Sequence, residues 1–348
     1  MACEFEINFN LHQYRQSGVA AAAGFQLIDA IEDQMTVYRD HSEVSQLNRS
    51  AGEHPIRVEA NLFSVLQLAQ ETYELTGGAF DISSGPLTKL WRFDRRAGEI
   101  PHQSEIDAVL EHVGMQWVEL NSTTNSVSFR KPELEINLGG IGKGHALDRV
   151  GQKFLQMGIA DFIIHGGQSS VLAFGSSFVA TNLELPESAK AGENNRTTMI
   201  DQDSISEVTS AGWTVGLSHP TLPAVRLAEF TLRNQALGTS GTGRQGFFHH
   251  GKRYGHIIDP RSGWPPTHTL SSTVIAESTA RADALATAFF VMSIEQISDF
   301  CSAHPEIGAV IVRPRLPEYR DKSKVKTVAG NIEIAVFNLD DSQFSILV

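Results

Sequence analysis

Asp283 and Thr287 stand four residues apart in "ADALATAFF", a spacing that puts both on one side of a helix. Their neighbours are largely Ala, Leu and Phe, so a buried carboxylate at this position needs a partner. Magnesium could be that partner, because it takes hard oxygen ligands and completes its shell with phosphate oxygens and waters. The same pair also fits a role inside the helix, with Asp283 favouring the N-terminal end of the dipole and Thr287 bonding a backbone carbonyl.

A second chemical signal lies in "EINLGGIGKGHALDRV", where Gly139, Gly140, Gly142 and Gly144 fall between a predicted strand and a predicted helix. Glycines let backbone N–H groups approach an anion, and the helix N-terminus and Lys143 add positive potential, so a pyrophosphate would suit this turn. The P-loop spacing fails, since Asn137 takes its first glycine position and Gly144 replaces the Ser or Thr after the lysine. The dinucleotide fingerprint fails too, because His145 stands where its third glycine belongs. An ATPase or a Rossmann dehydrogenase is disfavoured, and a structural turn and an anion site both stay open.

The segment "TSGTGRQGFFHHGKRYGHIIDPRSGWPP" gathers Thr239, Ser240, Arg244, His256, Asp259 and Arg261 around turns. His256, in a strand-like stretch, could bond a ring ligand or move a proton near neutral pH, or be a packed histidine, and Asp259 could orient the adjacent loop. His249 and His250 read as exposed hairpin residues. Tyr38 is a candidate for stacking on a bound aromatic group, Asp81 for binding a polar edge or capping a turn, and Phe80 and Trp91 read as core.

These residues must be held by a mixed set of elements. Residues 3 to 9 alternate like a strand, and Phe25, Ile28, Ile31 and Met35 follow at helical spacing. "YRDHSEVSQLN" reads as polar cover over a site. A helix runs from Val58 to Leu75 and stops at Gly77 and Gly78; "SEIDAVLEHVG" is a shorter one, capped by Ser104 and ended by Gly114. "WVELNSTTNSVSFR" predicts two strands and a polar turn, and "DFIIH", "SSVLAFG", "AEFTLRNQALGTSG", "KRYGHIID" and "SSTVIAE" predict more. Residues 183 to 210 are polar and irregular. "ADALATAFFVMS" is a helix, and shorter strand candidates finish the chain. Without steady alternation of strand and helix, the expected class is α+β rather than a doubly wound parallel sheet. Neither a repeat nor an interdomain linker stands out.

The 348 residues, 41% apolar and 20% charged, fit a soluble globular protein of one broad domain or two. Forty acidic against 28 basic side chains give a net charge of -12, which repels nucleic acid and anionic lipid on average. Cys3 and Cys301 cannot build a disulfide framework or a thiolate metal cluster. The N-terminus lacks a signal-peptide pattern, which leads to an expected cytoplasmic location, and no run of about 18 apolar residues predicts a transmembrane helix.

In their order along the chain, these segments resemble the ApbE-like family, the FAD:protein FMN transferases, over nearly the whole length. The likeness is clear in "MTVYRDHSEVSQLN" and "GGAFDISSGPLTKLW" and strongest in "NLGGIGKGHALD", "GTSG", "YGHIIDPRSGWPP" and "ADALATAFF". It implies a T-fold-like architecture with mainly antiparallel sheets, residues 1–348 forming a single domain in which two subdomains could flank an FAD site. The activity it implies is magnesium-dependent transfer of FMN from FAD to a Thr or Ser hydroxyl of an acceptor flavoprotein, with release of AMP. Asp283, Thr287 and a carbonyl near Gly142 become the magnesium ligands. Met35, Tyr38, Asp81, Ser83, Gly140, Gly142, Lys143, Thr239, Ser240 and His256 become FAD contacts, with Lys143 stabilising the anion and His256 positioning the flavin or transferring a proton.

Relatives of this kind are often exported or membrane-anchored, so an upstream start would imply a periplasmic or membrane-associated location. Asn137 stands where an acidic residue is common, Ser83 and Ser262 where threonines are usual, and Thr242-Gly243 in a loop that often carries acidic and aromatic residues. These departures bear on substrate preference. An FAD pyrophosphatase that yields FMN and AMP, and a noncatalytic FAD-binding protein, are the alternative readings.

Overall fold

The computed structural model describes residues 3–93, 99–177, 212–242, 246–250, 252–315, 325–329 and 331–347. Residues 183–210, Gly243 and Arg244, singled out above, lie outside the described residues. The chain opens with β1 (Phe5–Phe9), α1 (Ser17–Met35), α2 (Glu43–Ser50), β2 (Ile56–Arg57), α3 (Ala60–Leu75), α4 (Gly85–Trp91) and α5 (Gln103–Leu110). Next come β3 (Val118–Asn121), β4 (Ser126–Phe129), α6 (Gly142–Gln156), β5 (Phe162–Gly166), β6 (Ser170–Phe174), β7 (Trp213–Ser218) and β8 (Arg226–Leu232). Then follow β9 (Gln235–Gly241), β10 (Gly246–His249), β11 (Lys252–Gly255), β12 (Ser271–Ala276), α7 (Thr279–Val291) and α8 (Ile294–Ala303). The last strands are β13 (Gly308–Pro314), β14 (Val325–Ala329), β15 (Ile332–Phe337) and β16 (Phe344–Ile346).

Eight strands form one sheet in the order β1-β5-β6-β9-β12-β13-β15-β14, and every neighbouring pair is antiparallel. Alternation along these strands sorts side chains onto two faces. Phe162, Ile164, Ala309, Ile311, Ala335 and Phe337 join the core shared with α1, α3, α6 and α7. Ile163, Val310, Val312, Ile332 and Ile334 point the other way, onto the three-stranded sheet β16-β8-β7 with its Trp213, Phe230 and Phe344. Helices therefore cover one face and a second sheet the other, which is the expected α+β class. A smaller cluster around Trp91, with Phe93, Phe247, Tyr254 and Ile258, ties α4 and α5 to the β10–β11 hairpin.

Two glycines set how closely the elements around α7 approach it. A Cβ added to Gly144 on α6 would lie 2.4 Å from the Thr279 carbonyl oxygen, and one added to Gly238 on β9 would lie 2.5 Å from the Ala282 carbonyl carbon. Only a residue without a side chain permits such backbone contact. The helix that carries Asp283 and Thr287 is consequently pressed between the Gly-rich helix and the sheet.

Several elements differ from the sequence expectation. The polar stretch read as cover holds α2, whose N-cap Ser42 accepts the Ser45 N–H at 3.0 Å. Its buried apolar anchors are Val44 and Leu47, too few for a visible period. α5 starts at Gln103, capped by His102 rather than Ser104, because Glu105 reaches back to the His102 N–H at 2.8 Å and completes a capping box. Where only strands were expected near the C-terminus, α8 forms behind its own Ser293–Gln296 capping box. β11 ends at Gly255, so His256 stands in a bend beyond the strand rather than within one. Among the described residues no helix is long and apolar enough to cross a membrane.

Candidate active site

β12 runs straight into α7, and Ser278 between them caps the helix by accepting the Arg281 N–H at 3.3 Å. One turn on, Asp283 is buried. Ser170, the first residue of β6, places its Oγ 2.7 Å from Asp283 Oδ1 and 2.8 Å from Oδ2. Lys143, in the first turn of α6, donates from Nζ to the same Ser170 hydroxyl at 2.9 Å and also to Ser169. An ammonium, a hydroxyl and a carboxylate from three distant segments thus form one chain. Burial pushes the Asp283 carboxyl up to about 6, opposed first by the Lys143 charge and then by the Ser170 hydrogen bond.

Thr287 Oγ1 donates to the Asp283 carbonyl at 3.0 Å, which is the intrahelical role open from the sequence, and also lies 3.0 Å from Ser240 Oγ on β9. The Gly-rich turn passes directly over this point, since a Cβ on Gly140 would sit 3.6 Å from Thr287 Oγ1 and 3.2 Å from the Phe80 ring. Asn137 anchors the turn: its N–H donates to the Ile82 carbonyl at 2.7 Å and its Oδ1 accepts the Gly139 N–H at 2.9 Å. Gly142 begins α6 and donates to the Leu138 carbonyl at 2.7 Å.

The structure separates other expected site residues by what their side chains touch. Thr239 shares the strand face of Leu237, not of Ser240, and its Oγ1 pairs with Thr273 Oγ1 at 3.0 Å, away from Asp283. Alternation along β9 divides this neighbouring pair, and Thr239 supports the site through its N–H, which donates to the Ser169 carbonyl at 2.7 Å. Met35 is packed in the main core at the end of α1, whereas the Tyr38 ring just beyond it is 91% exposed. Phe80 and Trp91 are core residues, and Trp91 Nε1 also donates to the Gly263 carbonyl at 2.9 Å. His256 is half-buried after the hairpin, whose turn carries His249 and His250. Asp259 holds the following loop by a two-point bond to Arg261, with 2.8 Å to both Nε and Nη2.

Asp81 and Ser83 tie their loop to residues 114 and 115. Asp81 Oδ1 accepts the Ser83 N–H at 2.7 Å and the Ser83 hydroxyl at 2.6 Å, its Oδ2 accepts the Met115 N–H at 3.2 Å, and Ser83 Oγ accepts the Gly114 N–H at 2.6 Å. Burial raises the Asp81 carboxyl from its ordinary 3.8 to about 6 despite these donors. A carboxyl raised by folding contributes stability that is complete below the unfolded value and is lost as pH climbs through the folded one. Relative to Asp81→Asn, the wild type should therefore lose up to about 3 kcal/mol as pH rises from 4 to above 6. Urea unfolding of both proteins across that range measures the difference, and a gap independent of pH would contradict it.

Ser169, Ser170 and Asp148 are site-building residues that the sequence reading missed. "SSVLAFG" gave only a strand, and nothing local distinguishes a hydroxyl that will meet a carboxylate 113 positions away. Among the described residues no group of three or more His, Cys, Asp or Glu could hold a metal ion. The oxygens gathered near Asp283 are instead the hydroxyls of Ser170, Ser240 and Thr287. Hard oxygen donors with one carboxylate fit magnesium, which keeps most of its shell as water and phosphate, and do not fit zinc.

The chain is similar to known proteins in sequence and in fold. An FAD:protein FMN transferase of Klebsiella pneumoniae is 32% identical over 305 residues, 87% of this chain and 84% of that protein. One from Vibrio cholerae is 28% identical over 297 residues, 83% of this chain and 79% of that protein. In three dimensions the ApbE protein of Thermotoga maritima superposes with a TM-score of 0.71 at 25% identity, covering 88% of this chain and 93% of that one. The flavin transferase ApbE of Vibrio cholerae gives 0.73 at 24% identity, covering 97% and 94%, a likeness of fold. With the ApbE family matching residues 1–311, the chain belongs to the ApbE family.

Proposed function

We propose that this protein transfers FMN from FAD to a Thr or Ser hydroxyl of an acceptor flavoprotein, and that the transfer requires magnesium. The observation that carries the reading is the convergence of Lys143 and Asp283 on one serine hydroxyl beside a glycine turn. In the reaction the acceptor oxygen forms a bond to the FMN phosphorus, the bridging P–O bond breaks with its electron pair staying on the departing AMP, and the hydroxyl proton passes to solvent. Bound magnesium, held by Asp283 and Thr287, would neutralise charge on the phosphates and favour AMP as leaving group.

The chain's own residues supply position and field. The α6 N-terminus and the positive charge of Lys143 would together favour a pyrophosphate placed at the turn of residues 139–144. Tyr38 offers an uncovered ring for stacking, and His256 is assigned to positioning the flavin. A core that draws on residues from Phe5 to Phe337 supports one transferase unit over residues 1–348.

Incubation with FAD, magnesium and an acceptor flavoprotein tests the assignment by intact mass. An FMN-sized increment on the acceptor with equimolar AMP is the expected result. Free FMN and AMP with an unmodified acceptor would make the protein a pyrophosphatase, and stable FAD with neither product would make it a flavin carrier.

A further inference from the structure

The transfer chemistry needs the Gly-rich turn on α6 and the Asp283 side chain on α7 to keep a fixed separation, and at the site the two helices meet through the Ser170 hydroxyl and the Gly144 N–H, both bonded to Asp283. The geometry points to Asp148 as the positioning residue that sets this separation, acting on the metal helix from α6. This inference rests on the function proposed above.

Asp148 Oδ1 accepts the Thr279 N–H at 2.7 Å, and Oδ2 accepts the Ala280 N–H at 2.9 Å. These are the first two residues of α7, whose N–H groups have no partner within their own helix. The next donor, the Arg281 N–H, is taken by Ser278. The first turn of α7 is thus capped in two ways, locally by Ser278 and across the interface by a carboxylate of another helix.

Gly144 lies one turn before Asp148 on the same face of α6, and its backbone packs against Thr279 so closely that a Cβ would fall 2.4 Å from the carbonyl oxygen. A steric contact and a two-oxygen clamp therefore hold α7 at its start. Lys143 is the neighbour of Gly144, and Asp283 is one turn into α7, so slippage at the clamp would be passed to both. Two hydrogen bonds from separate oxygens resist rotation as well as translation, which one bond would not do.

The test compares full-length Asp148→Ala, Asp148→Asn and Ser278→Ala proteins, each carrying FAD. Ser278→Ala removes a cap of the same helix without touching the link to α6, and so reports what loss of helix stability does by itself. Magnesium affinity is measured by calorimetry, transfer by its dependence on magnesium concentration, and stability by thermal melting. Asp148→Ala should weaken magnesium binding about 10- to 100-fold, the scale expected when a supporting partner of a metal ligand is removed. Asp148→Asn keeps one acceptor oxygen and should fall between it and the wild type, which preserves the test should the alanine variant not fold. Ser278→Ala should melt lower with wild-type magnesium affinity.

Wild-type magnesium affinity in both Asp148 variants would overturn the inference, as would a Ser278→Ala protein whose affinity falls as far as theirs. A wild type that binds magnesium but transfers nothing would defeat the transfer reading and leave the calorimetric comparison decisive. A wild type that binds no magnesium in the presence of FAD would overturn both.

Discussion

Asp283→Ala should abolish magnesium-dependent transfer, with kcat/KM falling by about a thousandfold or more. The carboxylate is the charged oxygen donor beside the turn. It is held on one side by the Ser170 hydroxyl, which is itself bonded to Lys143. Desolvation already works against its charge, so its ionised form relies on the Lys143 ammonium and, in the working enzyme, on a bound cation. Alanine removes that donor and leaves α7 otherwise unchanged, because Asp148 and Ser278 still cap its first turn. Asp283→Asn, which preserves shape and removes charge, should lose most of the same activity while melting near the wild type. Magnesium titration of the FAD-bound protein, read beside the transfer rate, checks both variants. Normal magnesium affinity with a normal rate would remove Asp283 from the site.

Lys143→Gln should lower kcat by about 100-fold or more while the protein keeps its helical content. The ammonium stands in the first turn of α6, where positive charge and the helix N-terminus act together on any phosphate placed at the glycines. Its bonds to Ser169 and Ser170 fix it on the same side as Asp283. Arginine is not expected to rescue, because a planar guanidinium on a longer stem cannot replace a compact donor bonded to two adjacent hydroxyls. Single-turnover transfer at saturating FAD separates the chemical step from binding. A Lys143→Gln protein with an unchanged single-turnover rate would show that the lysine only completes the fold.

The parts of this site that a reader of the sequence could see were those with a local physical signature. Four glycines in six residues where a helix begins, and an aspartate and threonine one turn apart in an apolar helix, each announce themselves through spacing. The apolar run in β5 likewise reads as a strand, and its burial on both faces explains why the run is continuous. Contacts made across the fold have no such signature. Ser170 is the second of two adjacent serines where a strand begins, and Asp148 looks like any polar residue of an amphipathic helix until α7 is placed against it. Thr239 and Ser240 look equivalent in "GTSG" but face opposite sides of β9, and only the sheet's register shows which one meets Thr287. α8 and α2 were missed because short helices with two to four buried anchors carry little periodic signal, and their capping serines are recognised only once the helix exists.

Manganese can replace magnesium and is visible by anomalous scattering, so crystals grown with FAD and manganese locate the cation directly. The account predicts an anomalous peak within about 2.5 Å of an Asp283 carboxylate oxygen, in contact with the FAD pyrophosphate and next to the Gly140–Lys143 turn. A peak elsewhere, or FAD bound with its phosphates away from that turn, would contradict it.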